Sequence, residues 1–162
     1  MPIAVPRDLL SLADAERNVG SSRVKTSRRF LDLMVNGEGL ACKVRAAGYD
    51  LISCMWLDNA TAAPESRKAA QRLLGQVEGD APHGRVSLFG CAECGDLGCG
   101  AVTVRLQVTE DRVLWSDWGY QNNYDDEVFD LDDIEGLRDF SFDRSEYEHV
   151  LAGAAERIQV AR

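Results

Sequence analysis

Histidine and proline are scarce in this 162-residue chain, with two of the first and four of the second. With only His83 and His149 available, no Ser/His/Asp or Cys/His catalytic arrangement can be assembled. No apolar run approaches the roughly 20 residues that a membrane helix needs. Residues 1–8 lack a basic stretch followed by an apolar core, so no signal peptide is expected and the expected location is the cytoplasm. Basic residues are outnumbered: 18 Lys and Arg stand against 27 Asp and Glu, a net charge of −9. An acidic surface repels phosphates, which argues against nucleic acid as a partner. Neither standard glycine-rich phosphate loop occurs, and there is no internal repeat.

What is present is the composition of one globular domain. Hydrophobic residues make up 45% and charged residues 28%, the usual globular balance. A chain of this length buries about 68–70% of its unfolded surface and folds without a staple. The charge is uneven. Residues 1–81 carry 11 Lys and Arg against 10 Asp and Glu, whereas residues 82–162 carry 7 against 17. The acidic half suits a basic protein partner, and it also maintains solubility.

Residues 1–28 read as a loosely packed N-terminal arm, and 29–162 as a single domain. Within the arm, Pro6 is placed to open a short helix over Arg7–Arg17, with Leu9, Leu10, Leu12 and Ala13 on its apolar side. Strands are expected at Phe30–Val35, stopped by the Asn36-Gly37 turn, and at Leu51–Trp56, Arg85–Phe89, Ala101–Val108 and Arg112–Trp118. Helices are expected at Leu40–Ala47, closed by Gly48, and from Pro64 to Gln76. A last helix follows Phe140–Phe142, capped by Asp143 or Ser145. The fold class is therefore α+β: a mainly antiparallel sheet, helices on one face, and a glycine-rich cysteine knuckle between two strands.

Five cysteines occur, an odd number, so a complete disulfide framework is not expected. Three of them, Cys91, Cys94 and Cys99, fall within nine residues that also hold Gly95 and Gly98, with Gly100 just beyond. One reading is a zinc knuckle, in which a tight turn aims Cys91 and Cys94 at one ion and Cys99 curls back as a third ligand. Tetrahedral zinc needs a fourth donor; His83 is the candidate, with Cys54 and Cys42 as others. A second reading is a dithiol–disulfide pair at Cys91 and Cys94, with Cys99 as resolving thiol. The glycines forbid the helix such a motif opens, and Glu93 and Asp96 place negative charge beside the thiols, which raises their pKa. A third reading is plain packing of small cysteines in a strand crossover.

Strict alternation along Arg112–Trp118 puts Trp115 and Trp118 on opposite faces. On that basis Trp115 is the core member, and Trp118 with Tyr120 forms an exposed partner contact. The acidic stretch Asp125–Glu148 lacks the ligand alternation and central glycine of a calcium loop. Asp130, Asp132 and Asp133 are instead candidate docking charges for a basic protein.

The segment Cys91-Ala-Glu-Cys-Gly-Asp-Leu-Gly-Cys-Gly-Ala-Val-Thr-Val-Arg105, followed by Val113-Leu-Trp-Ser-Asp-Trp-Gly-Tyr120 and Asn123-Tyr124, resembles a group of small bacterial proteins. The similarity extends to Phe30–Trp56 and Phe140–Leu151. It implies a single domain over most of 30–155 and does not choose between zinc and thiol chemistry. Two functions follow from the residues. The first is a non-enzymatic protein-binding module, immunity- or antitoxin-like in one version, with a structural zinc knuckle and an acidic docking half. The alternative is a small thiol-disulfide oxidoreductase using Cys91 and Cys94.

Overall fold

The computed structural model describes residues 7–160 and has the expected α+β character, with antiparallel sheets and three helices among the described residues. Strand β1 (Leu10–Arg17) pairs along its whole length with β2 (Arg28–Val35), and β3 (Glu38–Gly39) completes a three-stranded sheet. Asn36 and Gly37 both have positive φ (53° and 82°), the backbone that a tight hairpin turn requires. The helix expected over Arg7–Arg17 is thus corrected to a strand; Pro6 lies outside the described residues. A short isolated helix is marginal in water. Eight backbone pairs with β2, and burial of Leu10 and Arg17 at the two ends of β1, stabilise the extended form instead. The segment is built into the fold rather than loosely attached.

Helix α1 (Leu40–Ala46) follows, with Gly48 at φ 100° past its end. Strand β4 (Leu51–Ser53) starts the larger sheet, whose order is β4, β5 (Val86–Cys91), β6 (Ala101–Val108), β7 (Arg112–Gln121) and β8 (Phe129–Asp130). Strand β9 (Phe140–Asp143) pairs with the first part of β7, and β8 with its last part. Helix α2 (Ala63–Leu73) stops short of Gln76 because Gly75 takes φ 73°. Helix α3 (Arg144–Val160) is capped by Asp143, whose carboxylate accepts the Glu146 N–H at 3.0 Å. The two helices pack on each other, and α3 also packs against β1, β7 and β9.

The small sheet is stitched to the large one at two places. The Leu31 N–H donates to Met55 O at 2.9 Å and the Leu57 N–H to Arg29 O at 2.8 Å. Asp8 bridges to β9: its N–H donates to Ser141 O, and its carboxylate receives Ser141 N–H, Arg138 and Asn36, each at 2.8–2.9 Å. Burial pushes the Asp8 carboxyl up, yet those hydrogen bonds bring it below the ordinary carboxylate range.

The tryptophans correct the expected alternation. Asp117 has φ 54°, and the β6–β7 register shifts beside it: Thr103 faces Gly119 while Arg105 faces Ser116. One extra residue in β7 is a β-bulge, and it reverses the facing of everything after it. Trp115 and Trp118 therefore point into the same core, 0% and 2% exposed, with rings edge-to-face at 6.2 Å. The Trp118 indole N–H donates to Arg138 O at 2.6 Å. The Trp115 N–H donates to the Tyr147 hydroxyl at 3.1 Å, which in turn donates to Leu73 O at 2.6 Å. Trp118 is thus no partner contact. Tyr120 is half-buried against Tyr49, ring centroids 5.0 Å apart.

Because both indoles fill the core, Trp115→Ala and Trp118→Ala are each expected to cost about 3–5 kcal/mol. Urea midpoints measure this. A mild loss at Trp118 alone would return it to an open face.

Candidate metal centre

Strand β5 ends at Cys91, and the chain turns back on itself before β6. The Gly95 N–H donates to Cys91 O at 2.9 Å, and the Asp96 N–H donates to the Cys94 sulfur at 3.4 Å. Asp96 then caps a single 3-10 turn at Leu97–Cys99 by accepting the Gly98 N–H at 2.9 Å. This folding brings the Sγ atoms of Cys91, Cys94 and Cys99 within 4.8 Å of one another, with Cys94 and Cys99 at 3.4 Å. Thiolates at about 2.3 Å from a tetrahedral zinc lie about 3.8 Å apart, so the spacing suits one ion. The described cysteines are all free thiols.

The three thiols are not equivalent. Burial raises the Cys91 pKa, but the N–H groups of Cys94 and Glu93 and the neighbouring thiols outweigh it and leave Cys91 below its ordinary value. Cys99 is pushed up to about 11, by its hydrogen bond to Cys94 and by charge on Cys91. A cation in their midst would favour the thiolate form of all three.

The expected influence of Glu93 is corrected. Its carboxylate turns away from the sulfurs, accepting the Thr26 N–H at 2.9 Å and Arg17 Nη1 at 2.6 Å. Arg17, almost wholly buried, also binds Asp50 at 2.7 Å. Beside it, Arg28 donates to Ala92 O at 2.9 Å and stacks 4.3 Å above the Trp56 ring. The N-terminal hairpin thus grips the backbone of the cysteine turn. Sequence reasoning missed Arg17, Thr26 and Arg28; the only signal was a basic cluster before β2 against an acidic residue between two cysteines. On the other side the Tyr120 hydroxyl donates to Cys99 O at 3.3 Å. Gly100, at φ 93°, leaves room for that phenol; a Cβ there would overlap it.

His83 does not join the sulfurs. It sits in the turn before β5, exposed, with Nε2 2.9 Å from Asp126 O. Cys91 lies at the far end of the six-residue strand, five steps of about 3.3 Å or roughly 16 Å past Val86. Cys54 and Cys42 also stay outside the cluster; burial pushes the Cys54 thiol up to about 12. Phe129 and Asp130, which form β8, are exposed, as are Tyr124 before the strand and Asp132 and Asp133 after it. The Asp132 N–H donates to Asp130 at 2.8 Å, and a side-chain hydrogen bond with Asp130, together with its charge, raises the Asp132 carboxyl. No helix among the described residues is long and apolar enough to cross a membrane. No known family, curated protein or solved structure matches the chain.

The clamp has a pH signature. Glu93 is held at about 2 by its hydrogen bonds from Thr26 and Arg17, and Asp50 at about 2 chiefly by Arg17. Depressed carboxyls stabilise the fold above their unfolded values of about 4 and lose that contribution as pH falls toward 2. Urea midpoints of a Glu93→Gln/Asp50→Asn variant should be lower at pH 7 and decline less steeply between pH 4.5 and 2. An unchanged slope would place the acid sensitivity elsewhere.

Proposed function

We propose that this chain is a non-enzymatic protein-binding module in which Cys91, Cys94 and Cys99 hold a zinc ion. The observation that carries the reading is the convergence of three sulfurs on a turn whose backbone already donates to them. Soft thiolates in a compact cage select zinc over the oxygen-seeking divalent ions. An ion there stiffens the turn, and the turn borders the acidic loop: the position a Gly98 Cβ would take lies 3.0 Å from the Tyr124 hydroxyl. Tyr124, Phe129 and the carboxylates of Asp130, Asp132 and Asp133 then form the docking face for a basic protein.

A second reading is favoured by the unequal acidity of the thiols. In it the Cys91 thiolate attacks a disulfide substrate, and a second thiol of the cluster resolves the mixed disulfide. One protein disulfide forms, and the substrate leaves as two thiols.

Elemental analysis of protein purified without chelator should give about one zinc per chain, and Cys91→Ser should lose it. Absence of metal, with Cys91, Cys94 and Cys99 freely titratable in the native state, would end the zinc reading and leave thiol exchange. For the docking face, a Lys/Arg-rich peptide is the probe. Its association should slow as salt rises and when Asp130, Asp132 and Asp133 are all changed to Asn. Indifference to both would leave the acidic run as a solubility device.

A further inference from the structure

The sulfur site ends at three donors. Among the described residues, the Sγ atoms of Cys91, Cys94 and Cys99 lie within 4.8 Å of one another, and no histidine or carboxylate joins them. The neighbouring donors are engaged elsewhere: His83 with Asp126 O, Glu93 with Arg17 and Thr26, and Asp96 with the Gly98 N–H. The mouth of the site is open, because Cys94 and Cys99 are exposed and Cys91 is half-buried. Zinc held here takes its fourth ligand from water. An ion that closes its coordination with three sulfurs needs nothing more from the chain.

Spacing and charge both favour such an ion. Sulfurs on a tetrahedral zinc stand about 3.8 Å apart, whereas Cys94 and Cys99 already stand at 3.4 Å. A pyramidal ion, with bond angles near a right angle, draws its sulfurs closer than a tetrahedron does. Three thiolates on a divalent ion leave a net negative charge. The surroundings offer little to offset it, since residues 82–162 carry 7 Lys and Arg against 17 Asp and Glu. The two arginines that grip the turn are already engaged, Arg17 by Glu93 and Asp50, and Arg28 by Ala92 O and the Trp56 ring. Three thiolates on a trivalent ion form a neutral complex.

We propose that Cys91, Cys94 and Cys99 are a binding site for trivalent arsenic, held more tightly than zinc. This goes beyond the zinc reading above and does not require zinc to be the resident ion. Arsenic arrives as its neutral hydroxide. With free thiols, three As–O bonds break and three As–S bonds form, and each thiol proton leaves with a hydroxide as water. With the zinc form, solvent supplies the three protons and the zinc ion departs. Arsenic stays trivalent throughout, so no oxidant or reductant takes part. The fold contributes preorganisation. The Gly95 N–H on Cys91 O, the Asp96 cap and the ion pair of Arg17 with Glu93 hold the turn, so the third sulfur closes an intramolecular ring.

The test titrates the whole reduced chain with arsenite, followed by mass spectrometry and by thiol titration. One arsenic should bind per chain with the loss of three hydrogens. Cys91, Cys94 and Cys99 should cease to titrate, while the exposed Cys42 still does. Cys94→Ser and Cys99→Ser each leave two sulfurs and should bind about a hundredfold more weakly, the worth of one intramolecular link. Both side chains are exposed, and urea midpoints equal to the parent's check that the variants fold. Cys42→Ser should bind as the parent does. The parent unfolded in urea should also bind more weakly, because the turn no longer gathers the sulfurs. On protein loaded with zinc, a small excess of arsenite should release the metal. Uptake through two sulfurs only, equal affinity in the variants or in the unfolded chain, or zinc retained against arsenite overturns the proposal while zinc binding stands. Arsenic bound through all three sulfurs by a chain that takes up no zinc supports the proposal and sinks the zinc reading alone.

Discussion

The guanidinium of Arg85 is the interaction on which the larger sheet depends. It is buried, and burial lowers its pKa. It donates to Gln121 Oε1 at 2.9 Å, to Thr103 Oγ1 at 3.2 Å, and to the backbone carbonyls of Thr103 and Asp117. Asp117 O belongs to the bulge, where the β6–β7 ladder is broken and a carbonyl would otherwise go unpaired. Arg85 therefore supplies what the ladder gives up, and the bulge can persist in the middle of a sheet. Because of the bulge, both tryptophans enter the core, and β7 can pair with β9 before it and β8 after it. The acidic loop hangs between those two short strands.

A second arginine plays the corresponding part at the sulfurs. Arg17 lies at the end of β1, is 6% exposed in its side chain, and reaches across to Glu93 and Asp50. An arginine so buried is stable only with its counter-charges in place. The ion pair with Arg17 and the hydrogen bond from Thr26 engage the Glu93 carboxylate between two of the cysteines. The cysteine turn is thus tied to the first strand of the chain on one side and to Tyr120 of β7 on the other. The proposed ion would complete a turn already held at both flanks.

Most elements were legible because local patterns agreed with tertiary demands. Asn36-Gly37, Gly48, the alternation of Val102 with Val104 and the cap at Asp143 each encode their structure within a few residues. Leu10–Arg17 was illegible for the opposite reason. Its leucines and alanines fit a helical stripe as well as a strand, and only the partner strand β2 decides between them. The cluster Cys91, Cys94 and Cys99 was legible from spacing and glycines. His83 was not excluded by sequence, since eight residues of separation are short in a turn and long along a strand.

By itself, the sequence determined the fold class, the neighbouring strands Ala101–Val108 and Arg112–Trp118, the three clustered cysteines and the acidic stretch. These follow from period, turn chemistry and charge, which act over a few residues. Tertiary structure alone decided the facing of Trp118, the strand at Leu10–Arg17 and the grip of Arg17 on Glu93. Each of these joins residues far apart in the chain. A single extra residue at Asp117 reverses a side chain's direction without leaving a mark in composition or alternation.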